Sequence, residues 1–524
     1  MAVQDSILKR KFTVLSNWDL CSVCLIFTVL MLQVLNWFRF PSFLDCYYHL
    51  SVVRGFEHAG GWVGLSFWEY APSGRPHLYP PLFHILELTA YKSGFGLIAV
   101  ARIFECLIYP VFLYSSWKTA RSLFTKEIAL FFLLFLVSSY PLYLALVSNI
   151  PSTIALIFIL LAYYFLETDR PIASVLSMAL SFYSHSLMPW IGWGAIFLYI
   201  LFVPRLRSVG LWICFWSIFL ASPMLYHEIK YFYFSRFTRV LEFFCFEINP
   251  VAYILSFFGI VLVINRKGRS IFFAVLIMVM FTLFFTNRDR FLSGPGLLPI
   301  SFLAAFALSD LYARFRKVGK RTGLVVFFVS LIILLFVATP VIVSNTPVFK
   351  PRLSLNSWLL VGLDKTRGFY KDKAETFYDR KLTYELVDSI KRHCGPDDIL
   401  FSNYNYGAGM AAALADRVTS TGMLYEVLPF DGMNPVSRSR LVLWFKEPDG
   451  IASPALGVLV KGYGLKKVDE TGLAYLYVNE KCGYKKRLIT AKVPYLYCMV
   501  LLLAFLMGIL FADNILKKKY LKKS

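Results

Sequence analysis

Trp37-Phe38-Arg39-Phe40-Pro41 ends the first apolar run of the chain, and Leu44-Asp45-Cys46-Tyr47-Tyr48-His49-Leu50 opens the first polar segment after it. A run over about 18–38 is long enough to cross a bilayer as a helix. It is too long for a cleaved signal peptide, and no small-residue cleavage site follows it. A carboxylate and an imidazole therefore stand just beyond the end of a membrane helix, among aromatic residues. Asp45 and His49 are four apart, so on a helix they share one face.

Outward from this junction the pattern repeats. Apolar runs recur at about 97–115, 128–142, 150–166, 171–186, 188–204, 208–226, 250–264, 271–286, 292–310, 323–343 and 495–512. With the first run they predict about twelve spans. The composition agrees: 58% of residues are hydrophobic and only 16% charged, against about 25% charged in soluble domains. A soluble enzyme is excluded on that ground. Nine Cys in 524 residues are not a disulfide scaffold, and no Cys/His cluster has zinc-ligand spacing.

The chain carries 54 Lys+Arg against 32 Asp+Glu, a net +22. Such an excess fits nucleic acid or positive cytoplasmic loops. Position decides between them. One set of connections, with both termini, holds Lys9-Arg10-Lys11, Lys118, Arg121, Lys126, Arg170, Arg205, Arg207, Arg266, Lys267, Arg269, the run from Arg314 to Arg321, and the Lys-rich tail after Lys517. The opposite set is sparser and spread over longer loops. The positive-inside rule puts both termini in the cytoplasm, and no nucleic-acid partner is expected.

Three segments then lie outside the membrane: a first outer loop at about 39–96, an aromatic-rich loop at about 227–249 that could close over substrate or lie on the membrane, and a domain over 344–493. That domain holds 22 Lys+Arg and 16 Asp+Glu and reads as water-soluble. Thr383–Ile390 reads as helix; Asp398–Ser402, Gly457–Val460 and Thr471–Val478 read as strands. The expected organisation is a polytopic α-helical membrane core over 1–343, a small extracytoplasmic α/β domain over 344–493, and a last transmembrane helix with a basic cytoplasmic tail over 494–524. Cys394 and Cys482 would either pair, if the outside is oxidising, or stay as thiols.

In that frame Asp45 is a candidate general base or metal ligand, against the plainer reading of a helix N-cap. His77 and His84, around Tyr79-Pro80-Pro81-Leu82-Phe83, read as structural or interfacial, with the paired prolines starting a helix. Arg102 and Glu105 fall inside a span, where charges pair or face a cavity. His185 lies at the outer end of its helix. Asn287-Arg288-Asp289-Arg290 sits at the outer mouth of the span at 292–310, where arginines can clamp a phosphate or meet headgroups and Asp289.

The order of these features resembles the GT-C superfamily of membrane glycosyltransferases, and within it the catalytic subunits of oligosaccharyltransferases. The resemblance rests on the first helix, on Asp45-Cys46-Tyr47-Tyr48-His49 opening the outer loop, and on Tyr79-Pro80-Pro81-Leu82-Phe83. It continues in Ala101-Arg102-Ile103-Phe104, Tyr140-Pro141 and Asn149-Ile150-Pro151-Ser152-Thr153. Ser402-Asn403-Tyr404-Asn405-Tyr406-Gly407, with Arg417 ten residues on, is similar to the Trp-Trp-Asp-Tyr-Gly signature of oligosaccharyltransferases. Two departures stand out. Asn405 replaces the signature's Asp and carries no charge. The stretch Leu142–Thr153 has no Asp or Glu, where the family places a second acidic motif that helps to hold a divalent metal.

The resemblance implies transfer of a sugar or oligosaccharide from a polyprenyl-phosphate-type donor to a protein or glycan acceptor on the extracytoplasmic face. Asp45 would be the base and His49 would lie in the same cavity. Arg290, with Arg288, would hold the phosphate, and Tyr404, Asn405, Tyr406 and Gly407 would place the acceptor. A divalent metal, with Asp45 and His49 as its possible ligands, is left open by the missing acidic motif. The alternatives are a non-catalytic relative that binds lipid-linked glycans, which the altered signature favours, and a transporter, against which no paired broken helices appear.

Overall fold

Ser16 accepts a hydrogen bond from the Asp19 backbone N–H and starts the first helix, α1 (Asn17–Leu35). The computed structural model describes residues 16–39, 41, 43, 45–235, 246–248, 250–286, 288–317, 321–332, 335, 339–344, 349–354, 380–423, 427–432, 434–446, 454–487 and 489–512. Beyond α1 the chain continues through α2 (Cys46–Ala59), α3 (Leu82–Lys92), α4 (Leu97–Leu123), α5 (Lys126–Ser138), α6 (Tyr140–Ser148), α7 (Ile150–Glu167), α8 (Pro171–Phe182), α9 (Met188–Phe202) and α10 (Arg207–Lys230). It closes with α11 (Pro250–Arg266), α12 (Ile271–Met280), α13 (Leu283–Thr286), α14 (Arg288–Leu292), α15 (Leu297–Lys317) and α16 (Arg321–Ile332).

Among the described residues five helices are long and apolar enough to cross a membrane, or six if the bent pair Lys126–Ser138 and Tyr140–Ser148 is one span. Five shorter apolar helices accompany them, so the twelve expected runs do not become twelve full-length helices. Two runs differ for visible reasons. The run at 128–142 breaks by 80° at Ser139, where the Ser139 hydroxyl accepts from Leu142 N and Pro141 starts a new helix. In the run at 323–343, α16 is described to Ile332, and Thr339–Ser344 pairs as a strand with Phe349–Ser354.

The core of the bundle is aromatic. Tyr163 stacks on Phe272 at 3.9 Å and Phe273 on Phe302 at 3.6 Å between ring centroids. Helices α11 and α15 cross at Gly259, where an added Cβ would lie 2.1 Å from the Leu303 carbonyl oxygen. The outward faces stay apolar, with Phe27, Phe215, Phe219, Phe257 and Leu496 all exposed, as a lipid-facing surface requires. The chain is an integral membrane protein.

Cations from connections far apart in sequence meet on three carboxylates. Arg121 and Lys126 pair with Asp19 at 2.7 and 3.4 Å, and Arg205 and Arg269 each reach Glu167 at 2.8 Å. Arg266 and Arg314 share Asp310. All six belong to the set assigned to one side of the membrane by the positive-inside rule.

The segment after α16 carries a five-stranded mixed sheet. Its strands are β1 (Ile399–Ser402), β2 (Val418–Thr419), β3 (Leu441–Phe445), β4 (Lys466–Glu470) and β5 (Ala474–Val478), in the order β4-β5-β3-β1-β2. β1 runs parallel to β2 and β3, and β3, β5 and β4 are antiparallel neighbours. α17 (Arg380–His393), α18 (Asn405–Met410) and α19 (Pro454–Tyr463) flank it, and α20 (Tyr495–Met507) follows. The Gly457–Val460 run lies in α19, not in the expected strand. Four apolar residues do not distinguish strand from helix, and here Val458 faces solvent. The central strand is instead Leu441-Val442-Leu443-Trp444-Phe445, with every residue buried. Cys394 and Cys482 are both free thiols.

The first outer loop and this sheet share one hydrophobic cluster, in which Tyr47, Tyr48, Leu50 and Trp68 pack with Leu400, Met410 and Leu443. Gly61-Trp62 also pairs antiparallel with Val493-Pro494, which ties the loop to the start of α20.

Candidate functional site

Asp45 precedes the first residue of α2 and occupies its N-cap position, yet its side chain makes no capping hydrogen bond. The residue is exposed, while Cys46 to His49 behind it are buried. The capping reading of Asp45 is thereby set aside: the carboxylate is presented at the surface instead of being used by its own helix. Its charge reaches the buried Cys46 thiol, as do those of Glu87 and Glu105. Those two carboxylates, from α3 and α4, are 1% and 2% exposed. The Glu87 Oε2 has no hydrogen-bond partner, and burial and the Glu105 charge hold the Glu87 carboxyl well above its usual range. Nothing in the sequence pattern pointed to Glu87, because its significance depends on the packing of α3 against α4.

The segment from Tyr404 to Gly407 is brought to the same place. β1 delivers the chain to α18, and α18 lies on α2: a Cβ on Gly409 would stand 3.5 Å from the Tyr47 carbonyl carbon. Asn403 sits beside this segment as a strap, accepting from Phe445 N at 2.7 Å and donating to Phe445 O at 3.4 Å. Tyr404 packs edge-on to Phe445 at 5.8 Å and lies 5.5 Å from Tyr406. Tyr404, Asn405 and Tyr406 remain half-buried. Gly407 is required by close approach, since a Cβ there would fall 2.0 Å from the Phe445 ring. Gly407→Ala is expected to cost about 1–3 kcal/mol, the range for overpacking a filled core, read as a lower thermal midpoint of the purified protein.

His49 turns inward. It is 8% exposed, and its Nδ1 lies 2.9 Å from His84 Nε2. His84 is followed at 5.9 Å between rings by His77, whose Nδ1 is 3.0 Å from the Ser66 hydroxyl. His227 Nε2 donates to the His77 carbonyl at 2.9 Å. One nitrogen of the His49–His84 pair must donate and the other accept, so the accepting ring is neutral. Burial pulls His49 and His77 down to about 3 and His84 well below its ordinary value.

The sign of the resulting pH dependence is fixed. The unfolded chain takes up these protons near pH 6.5 and the folded chain does not, so stability is lost as pH falls below about 6.5. Each group contributes up to about 1.4 kcal/mol per pH unit. His77→Gln is expected to reduce the slope of stability against pH between 5 and 6.5 by one proton; an unchanged slope would place the acid sensitivity elsewhere.

Tyr79 bridges from this cluster toward the arginines. Its ring lies 5.6 Å from His49, 5.5 Å from His84 and 6.3 Å from His185. His185 in turn is within electrostatic reach of Arg290 in α14. Arg290 is thus linked to the Asp45 helix through His185, Tyr79 and His49. The side chains of Arg288 and Asp289 lie outside the described residues, as do residues 236–245 of the aromatic loop. Arg102 lies 6.0 Å from the Phe38 ring and within electrostatic reach of Arg380 and Tyr384 in α17, so this membrane-helix charge is directed at the outer domain.

His49 commits Nδ1 to His84, and among the described residues no group of three or more His, Cys, Asp or Glu could hold a metal ion.

No protein-family model matches the sequence, and a search of curated proteins finds no match. Solved structures do match. ArnT from Cupriavidus metallidurans, bound to undecaprenyl phosphate, superposes with a TM-score of 0.55 at 14% identity, over 89% of this chain and 99% of that one. The Archaeoglobus fulgidus oligosaccharyltransferase in complex with Zn and sulfate gives 0.54 at 13% identity, over 88% and 73%. The oligosaccharyltransferase AglB from the same organism, with an inhibitory peptide and a dolichol-phosphate, gives 0.51 at 12% identity, over 88% and 74%. The chain shares the fold of these structures.

At these identities the likeness is one of fold, and the GT-C frame orders the local geometry. It relates the exposed carboxylate at the start of the first outer loop to an outer domain packed on the same helix. Asp45 and the Tyr404–Gly407 segment were legible from the sequence. Tyr79 and His84 were visible only as aromatic and histidine neighbours of a double proline, and their contacts with His49 and His185 arise from tertiary packing.

Proposed function

We propose that the protein is a membrane glycosyltransferase that moves a sugar or oligosaccharide from a polyprenyl-phosphate-type lipid to a protein or glycan acceptor. Both termini are cytoplasmic, and the first outer loop and the sheet domain are extracytoplasmic. The observation that carries the reading is Asp45: an exposed carboxylate at the start of α2, the helix whose Tyr47 backbone packs against Gly409 next to the Tyr404–Gly407 segment. The related folds of ArnT bound to undecaprenyl phosphate and AglB in complex with a dolichol-phosphate support a donor that enters from the bilayer.

Asp45 takes the proton from the acceptor as the acceptor oxygen or nitrogen attacks the anomeric carbon. The bond from that carbon to the phosphate oxygen breaks, and the polyprenyl phosphate or diphosphate leaves with its negative charge. Arg290, with Arg288, holds that phosphate. His49 lines the same region beneath the acceptor, and Tyr404, Asn405, Tyr406 and Gly407 place the acceptor over Asp45. A divalent metal remains compatible with the Zn-bound oligosaccharyltransferase neighbour, but its ligands would have to include groups other than Asp45 and His49.

The test is sugar transfer in membranes carrying the wild-type protein, supplied with polyprenyl-phosphate sugars and assayed for label leaving the lipid fraction. Asp45-dependent loss of lipid label supports the reading. Tight binding of the lipid sugar with no turnover by any acceptor would favour the non-catalytic reading that the Asn405 substitution suggests.

A further inference from the structure

His185 is 8% exposed and lies in the short connection between α8 and α9. Its Nδ1 accepts from the backbone N–H groups of Leu187 at 3.0 Å and Met188 at 3.3 Å. The ring therefore caps the start of α9, and the capping settles the tautomer: Nδ1 is the acceptor, so the proton is on Nε2. Burial and the Arg290 charge pull its pKa down to about 3, and the ring stays neutral at working pH. The result is a rigid N–H donor within electrostatic reach of the Arg290 guanidinium, at the outer end of the membrane helices, with Tyr79 leading from it to the Asp45 helix. A neutral donor next to a fixed cation suits an anion with several acceptor oxygens, because both can bond it without a proton being supplied.

We propose that His185 binds the phosphate of the lipid donor, donating from Nε2 to a non-bridging phosphate oxygen while Arg290 supplies the positive charge. This rests on the glycosyltransferase reading above and adds a neutral donor to its phosphate site.

Two substitutions separate the two nitrogens. His185→Asn keeps an N-cap acceptor near the Nδ1 position and removes the Nε2–H. His185→Gln places an amide N–H near the Nε2 position and loses the cap. The full-length protein in nanodiscs is titrated with polyprenyl phosphate, with polyprenol as the phosphate-free control, and its thermal midpoint is measured. His185→Asn is expected to keep the wild-type midpoint and to weaken polyprenyl phosphate binding by about ten- to a hundredfold, the worth of a hydrogen bond to a charged group. Its polyprenol binding should be unchanged. His185→Gln is expected to stay within about threefold of wild-type affinity and to melt earlier.

Wild-type affinity in His185→Asn overturns the proposal, and so does equal weakening in both variants, which would tie the effect to ring shape. In both of those outcomes the wild-type protein still binds polyprenyl phosphate and the glycosyltransferase reading stands. If the wild-type protein binds polyprenyl phosphate no better than polyprenol, both readings fall together.

Discussion

Asp45→Asn is expected to lower sugar transfer by about 10²–10⁴-fold, the usual contribution of a positioned general base, with the thermal midpoint unchanged. The two halves of this result have separate causes. Asp45 is exposed and gives its own helix no capping hydrogen bond, and Asn preserves its shape, so the start of α2 is kept. An amide of the same shape still accepts a hydrogen bond but cannot take the acceptor's proton. Binding of polyprenyl phosphate should also persist, because the proposed phosphate contacts are Arg290 and His185. Activity within threefold of wild type would remove Asp45 as the base, whereas a collapsed thermal midpoint would return it to a structural role.

Glu69→Ala should produce the largest loss of stability, about 3–5 kcal/mol, the cost of leaving one member of a buried ion pair alone. Arg75 is 2% exposed and reaches Glu69 Oε1 through Nε at 2.9 Å and Nη2 at 2.7 Å. Its Nη1 donates to the Val427 carbonyl at 3.1 Å. The same loop is bonded to the sheet domain from Ala71 N to Thr419 O at 2.9 Å and from Phe430 N to Gly74 O at 3.2 Å. Removing the carboxylate strands a guanidinium where the outer loop meets the sheet domain. The lowered midpoint should be accompanied by faster proteolysis of the outer domain. Glu69→Gln, which retains one acceptor, should be milder; equal stability in all three proteins would show that water already screens the pair.

The legibility of the molecule follows the range of the interactions involved. Membrane helices declare themselves because hydrocarbon demands long apolar runs. The charge pattern divides the connections because cations cluster at one surface, and the shared pairs on Asp19, Glu167 and Asp310 put several of those connections together. Within the sheet domain the helix around Thr383–Ile390 and the strands around Asp398–Ser402 and Thr471–Val478 were recognisable. Gly457–Val460 was misread as a strand because four apolar residues suit a buried strand or one helical face equally well. Leu441–Phe445 passed unnoticed as the central strand because a strand buried on both faces has no alternation to detect.

The candidate site divides along the same line. Asp45 stood out as a carboxylate just beyond the end of a membrane helix among aromatic residues, and Tyr404–Gly407 stood out by its similarity to the Trp-Trp-Asp-Tyr-Gly signature. Their juxtaposition did not stand out, since it is made by α18 resting on α2 across more than 350 residues of chain. His49 shared a predicted helical face with Asp45, but packing turned it into a buried pair with His84. Periodicity assigns a residue to a face; it does not say what will cover that face.

Composition and order were therefore sufficient for a polytopic membrane chain with an outer domain and for its single exposed carboxylate of interest. Folding in three dimensions chose which histidines are donors, which carboxylates are buried beside Cys46, and which ring joins Arg290 to the Asp45 helix. Local runs report how a segment meets lipid or water, and each segment feels that contact independently. Proton positions and charge partners depend on groups hundreds of residues apart, and those meet only when the helices pack.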